Sequence, residues 1–169
     1  LVDISEQDLE DSVFDLEAEM QSEFSTQFAK AEGAAFVSGN AVGKPEGFMT
    51  NSDVASVDSG SNTLITADSL ISLVHNIKSD YGRNGTFVFN RSTLAAIRKL
   101  KDTAGQYVFQ TGMMLGGNMV NTILGQPYVE ATDMPSIAQN AFPVAFGDFS
   151  KAYMIVDRVN LAVLRDPFT

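Results

Sequence analysis

Apolar residues recur at Leu9, Val13, Leu16, Met20, Phe24, Phe28 and Ala31 in steps of three and four. That spacing traces one face of a helix at 3.6 residues per turn. Ser5 stands where an N-cap would, and Glu6, Asp8, Glu10 and Asp11 crowd the first turns, where the helix dipole favours negative charge. Gly33 offers a C-terminal stop. The pattern predicts one long amphipathic helix, on the order of 40 Å at 1.5 Å per residue. The Gly-, Asn- and Pro-rich sequence from Ser38 to Gly47 predicts an ordered loop, and the Ser-, Asp- and Gly-rich run Asn51 to Asn62 a linker or exposed turn.

A second helix is predicted over Ala67 to Tyr81, with Thr66 as cap and Leu70, Val74, Ile77 and Tyr81 on one face. Gly82 to Gly85 reads as a turn, and Thr86-Phe87-Val88-Phe89 as a strand rich in β-formers. Asn90 can cap a third helix through Leu100, burying Leu94, Ile97 and Leu100. Beyond it the pattern changes to short strands between Gly, Pro and Asp: Gln106–Phe109, Thr122–Leu124, Tyr128–Thr132, Val144–Phe146, Ala152–Val156 and Leu161–Leu164. A Gly- and Met-rich stretch, Thr111 to Asn121, separates the first two. No internal repeat is present at solenoid periods. The expected class is α+β, with one long leading helix and a sheet assembled mostly from the second half.

A length of 169 residues with 44 % hydrophobic side chains suits one domain with a packed core. With no Cys, disulfide frameworks, thiolate metal sites and cysteine nucleophiles are excluded together. The apolar runs fall short of the roughly 20 residues that a membrane helix needs, and no secretory signal pattern is visible. The first residue is Leu1 and the last four are Asp166-Pro167-Phe168-Thr169, so the chain is expected to be a piece of a longer protein.

The net charge of -10 sits almost wholly in one element. Residues 1–32 hold ten Asp or Glu against Lys30 alone, while the remaining residues carry eleven acidic and ten basic side chains. Such a balance argues against direct nucleic-acid binding, which phosphate neutralisation drives. The i,i+4 carboxylate pairs Glu6/Glu10, Asp11/Asp15, Asp15/Glu19 and Glu19/Glu23 repel mildly. They make either a solvated face or an acidic rail that awaits basic residues elsewhere.

Gly39-Asn40-Ala41-Val42-Gly43-Lys44-Pro45 invites comparison with a phosphate-binding loop. It has three residues between its glycines instead of four, Pro45 where Ser or Thr is needed, and a helix before it instead of a strand, so it reads as a turn. His75 is the only histidine and has no companions at metal or triad spacing, so it reads as a packing or surface residue. Gly147-Asp148-Phe149 and Asp157-Arg158 are turn chemistry at strand edges. No catalytic, cofactor-binding or metal-binding residue is expected.

Several phrases nevertheless fall in a family order. Asp11-Ser12-Val13-Phe14-Asp15-Leu16-Glu17 opens the long helix, Phe28 to Phe36 closes it, and Pro45-Glu46-Gly47-Phe48 follows. Asn90-Arg91-Ser92-Thr93-Leu94 is followed by Ile97-Arg98-Lys99-Leu100-Lys101-Asp102. Leu124-Gly125-Gln126-Pro127-Tyr128-Val129, Asp133-Met134-Pro135, Phe146-Gly147-Asp148-Phe149 and Tyr153 to Arg158 complete the series. Together they resemble the tailed-phage major capsid proteins of the Hong Kong 97-type fold, over essentially the whole chain.

That resemblance implies a spine helix of a peripheral domain over residues 1–36 and an axial domain over 37–169, with a central mixed sheet flanked by helices. It implies an N-terminal arm, an extended loop and closing peripheral-domain strands outside this sequence, and no cross-linking residue is carried over. The implied function is a structural subunit that self-assembles into pentameric and hexameric capsomers, located in the virion capsid and in host cytoplasm during assembly. The implied partners are copies of itself, with no sequence-specific nucleic acid, membrane or small-molecule substrate.

The candidate interface residues are Leu9, Val13, Leu16, Met20 and Phe24 on the helix stripe, with Asp133, Met134 and Pro135 in a loop toward the capsomer axis. An apolar stripe of several hundred Å² normally finds a partner, so the chain is expected to pair through that helix or pack it in a non-native way. The alternatives are an encapsulin-type cellular shell protein, which shares the fold, and a binding domain or enzyme with an unrecognised site.

Overall fold

The computed structural model describes residues 16–109 and 122–156. Within them the chain runs as helix α1 (Leu16–Ser38), helices α2 (Ala67–His75) and α3 (Ser79–Gly82), strand β1 (Thr86–Phe89), helix α4 (Arg91–Arg98), strands β2 (Thr122–Ile123), β3 (Gln126–Glu130) and β4 (Val144–Gly147), and the short helix α5 (Phe149–Ala152). The four strands form one sheet in the order β2-β3-β1-β4. β1 pairs parallel with β3 and antiparallel with β4, while β2 and β3 form an antiparallel pair. The expected α+β class with a mixed sheet is the one found.

The core forms on one face of β1. Phe87 and Phe89, two residues apart and so on the same side of the strand, are both fully buried. Phe87 meets Phe146 of β4 with ring centroids 4.6 Å apart, and Phe89 meets Tyr128 of β3 at 5.3 Å. Leu70 of α2 and Leu94 and Ile97 of α4 join the same cluster. Both of these helices start at a side-chain cap. Thr66 closes a capping box with Ser69 at the head of α2. The Asn90 side chain accepts from Thr93 N at 2.8 Å at the head of α4.

Five expectations change. α1 does not stop at Gly33; it continues to Ser38, where Ala35 and Val37 are buried. It ends at a backbone crossing instead. A Cβ on Gly39 would lie 2.0 Å from Pro45 O, and one on Gly47 would lie 2.4 Å from Val37 O, so only glycine lets these strands of chain touch. The Gly39–Pro45 segment is thus a loop closed by an antiparallel bridge between Asn40 and Glu46.

The helix predicted over Ala67–Tyr81 breaks after His75, and Lys78 is extended (φ -58°, ψ 141°) before α3 begins. Ile77 keeps its inward place, but Tyr81 is exposed. The predicted strand Gln106–Phe109 is a single bridge, Tyr107 to Lys101, made by the chain folding back on the end of α4. β3 begins two residues early, at Gln126, and ends at Glu130. Ala152–Val156 is not a strand: Asp148 caps α5, and Tyr153–Val156 joins no sheet among the described residues. The predicted start of the first helix, with Leu9 and Val13, and the predicted strand Leu161–Leu164 lie outside the described residues.

Candidate functional site

Of the residues singled out for subunit contact, Leu16, Met20 and Phe24 fall on α1 and Asp133, Met134 and Pro135 in the β3–β4 loop, while Leu9 and Val13 lie outside the described residues. Leu16, Met20 and Phe24 are half-buried, and Phe28, one turn further on, is half exposed. Spacing of four keeps them on one stripe of the helix. The stripe fades toward Ala31, which is exposed, and burial resumes at Ala35 and Val37 where α1 meets the body.

The loop after β3 is held by a polar clamp that sequence reasoning did not anticipate. Asn90 Oδ1 accepts from Thr93 N at 2.8 Å and from Ser92 Oγ at 2.8 Å, so it caps α4. Its other end faces the opposite way: Nδ2 donates to Met134 O at 3.0 Å and to Ser136 Oγ at 3.1 Å. A single buried amide thus ties the start of α4 to a loop more than forty residues away. The signal in the sequence was the choice of Asn where Ser or Asp caps equally well, since only Asn adds two donors.

Met134 of this loop is 3 % exposed, so within this chain its side chain is turned inward. Asp133 and Pro135 on either side of it are exposed. Asp133 also meets α1, for its Oδ2 lies 3.0 Å from where a Cβ on Gly33 would be. The β3–β4 loop thus touches α1 at Gly33, more than two turns beyond Phe24. The sequence signal was Gly33 itself, because an isolated glycine in a helical pattern marks close approach as readily as an end.

An aromatic joint fixes the end of α1 on the body. Phe36 packs edge-on to Tyr153 at 6.0 Å, and Phe48 meets Phe149 at 5.3 Å and Tyr153 at 6.5 Å. Tyr153 Oη donates to Glu46 O at 2.7 Å. Beside this joint lies an open cleft of about 1280 Å³ between the end of α1, the 45–65 segment and residues 137–156. Its walls are largely aromatic and aliphatic, and its only carboxylates are Glu32, Glu46 and Asp58. His75 is exposed at the end of α2, and among the described residues no three His, Asp or Glu side chains are grouped to hold a metal ion.

This architecture, a long helix jointed to a mixed sheet with an anchored β3–β4 loop, belongs to a known class. The profile of the Phage capsid family matches residues 1–169, and the chain is a member of that family. Among solved structures it is similar to the capsid of an empty GTA (gene transfer agent) particle computed with C5 symmetry, at 38 % identity and a TM-score of 0.85 over 98 % of this chain. The capsid of the native GTA particle, also computed with C5 symmetry, matches at 37 % identity and a TM-score of 0.86 over 98 % of this chain. This chain spans 60 % of the length of each of those capsid chains. No curated protein matches it.

Proposed function

We propose that this chain serves as a structural subunit of a phage-like capsid, working by assembly with copies of itself and not by transforming a substrate. The observation that carries the reading is the agreement in fold, at 38 % identity over 98 % of the chain, with a subunit from an assembled particle. Symmetric repetition of modest interfaces closes a shell without any one contact being strong.

Within this reading, residues 1–36 form the spine helix of a peripheral domain and residues 37–169 an axial domain that gathers around capsomer axes. The helix stripe of Leu9, Val13, Leu16, Met20 and Phe24 contacts neighbouring copies, and Asp133 and Pro135 present the anchored loop toward the axis. The protein acts in the virion shell after assembly in host cytoplasm. It needs no cofactor, small-molecule substrate, membrane or sequence-specific nucleic acid.

Electron microscopy of the full-length gene product, purified from expressing cells, tests the reading. Closed shells or five- and six-membered rings are the expected result. A product that stays monomeric at every concentration and ionic strength tried would overturn it.

A further inference from the structure

Copies of this sequence, at a net charge of -10, repel one another, and a contact that sets acid against base offsets that repulsion. The basic side chains are not spread evenly. Between Arg83 and Val129 the sequence holds five basic residues and a single acidic one, Asp102. The Asp102 carboxylate is turned into its own loop, accepting from Ala104 N at 2.9 Å and Gln106 N at 2.8 Å.

Three of the five line the outer face of α4. Thr93, Leu94 and Ile97 point into the core, which leaves Arg91, Ala95 and Arg98 in one exposed row at i, i+4 and i+7, with Lys99 beside it. Arg91 and Arg98 are about 10 Å apart along the axis, and the small Ala95 between them leaves room for another helix to approach. β3 borders the row. Arg98 Nη2 donates to Tyr128 Oη at 2.7 Å, which steadies the guanidinium, while Arg91 lies 4.0 Å from Glu130 with its side chain 92 % exposed. The Arg91–Glu130 pair is the only ion pair among the described residues.

The complementary surface is on α1. Glu19 and Glu23 form an exposed i,i+4 pair about 6 Å apart, no ion pair neutralises them among the described residues, and the sequence of residues 1–32 carries ten acidic side chains in all. The geometry points to a head-to-tail contact in which the acidic α1 of one copy docks on the Arg91–Ala95–Arg98 row of a second copy. It deepens the capsid reading and rests on it. Used once per copy in each direction, such a contact is heterologous and closes into a ring when its rotation fits. A polyanion such as nucleic acid would also fit a basic row, but within this sequence the matching negative charge is concentrated in residues 1–32, of which Glu19 and Glu23 are exposed on α1.

Charge swapping tests the contact. The triple variant Arg91→Glu/Arg98→Glu/Lys99→Glu and the double variant Glu19→Lys/Glu23→Lys are compared with wild type by sedimentation velocity from low to high salt. A third variant, Ala95→Glu, blocks the row without removing any hydrogen bond, which covers the loss of the Arg98–Tyr128 bond in the first. The expected result is that wild-type association weakens as salt rises and that each variant alone associates about tenfold or more less tightly, since every exposed pair contributes a factor of roughly two to five. An equimolar mixture of the triple and double variants recovers association.

Wild-type association by all three variants, or no recovery in the mixture, overturns the contact. Such a result leaves the capsid reading standing, because shells still form. A triple variant that assembles normally but no longer binds a mixed-sequence DNA duplex also overturns it, and assigns the row to a polyanion.

Discussion

The Asn90 amide carries two jobs that substitution can separate. In Asn90→Ala the cap of α4 is lost, which costs about 0.5–2 kcal/mol. The two bonds to Met134 O and Ser136 Oγ go as well, each contributing about 0.5–1.5 kcal/mol net, and Met134 O is then left under-satisfied beside a buried side chain. The total expected is about 2–4 kcal/mol. Asn90→Ser retains a capping oxygen but cannot reach the loop, and Asn90→Asp retains the cap while turning a carboxylate oxygen toward a carbonyl. Both are expected to cost about 1–3 kcal/mol. Urea titration with an unchanged m-value measures the losses. Amide exchange at Met134, whose N–H donates to Ala131 O, locates them and is expected to rise in all three variants. If Asn90→Ser is as stable as wild type, the bonds across to the loop contribute nothing. If Asn90→Ser is as unstable as Asn90→Ala, the cap contributes nothing. Either result refutes the double role.

Two glycines should respond to alanine with opposite signs in thermal melts. At Gly85 the added Cβ would lie 2.2 Å from Cζ of the buried Phe146 ring, so a loss of about 1–3 kcal/mol is expected. At Gly33 it meets only the free end of the exposed Asp133 side chain, which can swing away, and helix propensity then gives a gain of up to about 1 kcal/mol; a reversed order would contradict the packing described. Phe87→Ala, at the centre of the sheet, should cost about 3–5 kcal/mol in urea, and a loss below about 1.5 kcal/mol would mean that the core lies elsewhere. Tyr153→Phe should lose only the bond to Glu46 O, about 0.5–1.5 kcal/mol, while Tyr153→Ala also loses the edge contacts with Phe36 and Phe48; equal losses would show that the rings contribute nothing to the joint.

The elements legible in the sequence were those in which local and tertiary preferences agree. Thr86–Phe89 alternates as a half-buried strand does, and Asn90 caps the next helix whether or not a loop sits behind it. Reading failed where a partner decides. Tyr153–Val156 has the β-branched and aromatic content of a strand, yet no strand among the described residues pairs with it, and Met154 and Val156 stay exposed. The break between α2 and α3 was hidden because Ile77 faces the core on either side of it, so the periodicity continues through Asn76–Lys78. Gly33 does not end the helix because burial of Ala35 and Val37 against the body carries α1 past it, which local sequence does not reveal. Of the candidate site, the stripe Leu16–Met20–Phe24 could be read from spacing, but the inward turn of Met134 and the bond from Asn90 to its carbonyl could not, since both are made across more than forty residues.

The joint of Phe36, Phe48, Phe149 and Tyr153 makes α1 a lever. From Leu16 to Ser38 the helix extends about 34 Å, so a ~10° tilt at the rings would carry Leu16 through about 6 Å. Rings that meet edge-on at several angles interlock, and they resist such a tilt better than parallel plates that could slide. Small packing differences at these four side chains would thus be magnified into large changes in where the far end of the rod reaches, and with it the curvature of whatever surface many such rods build together.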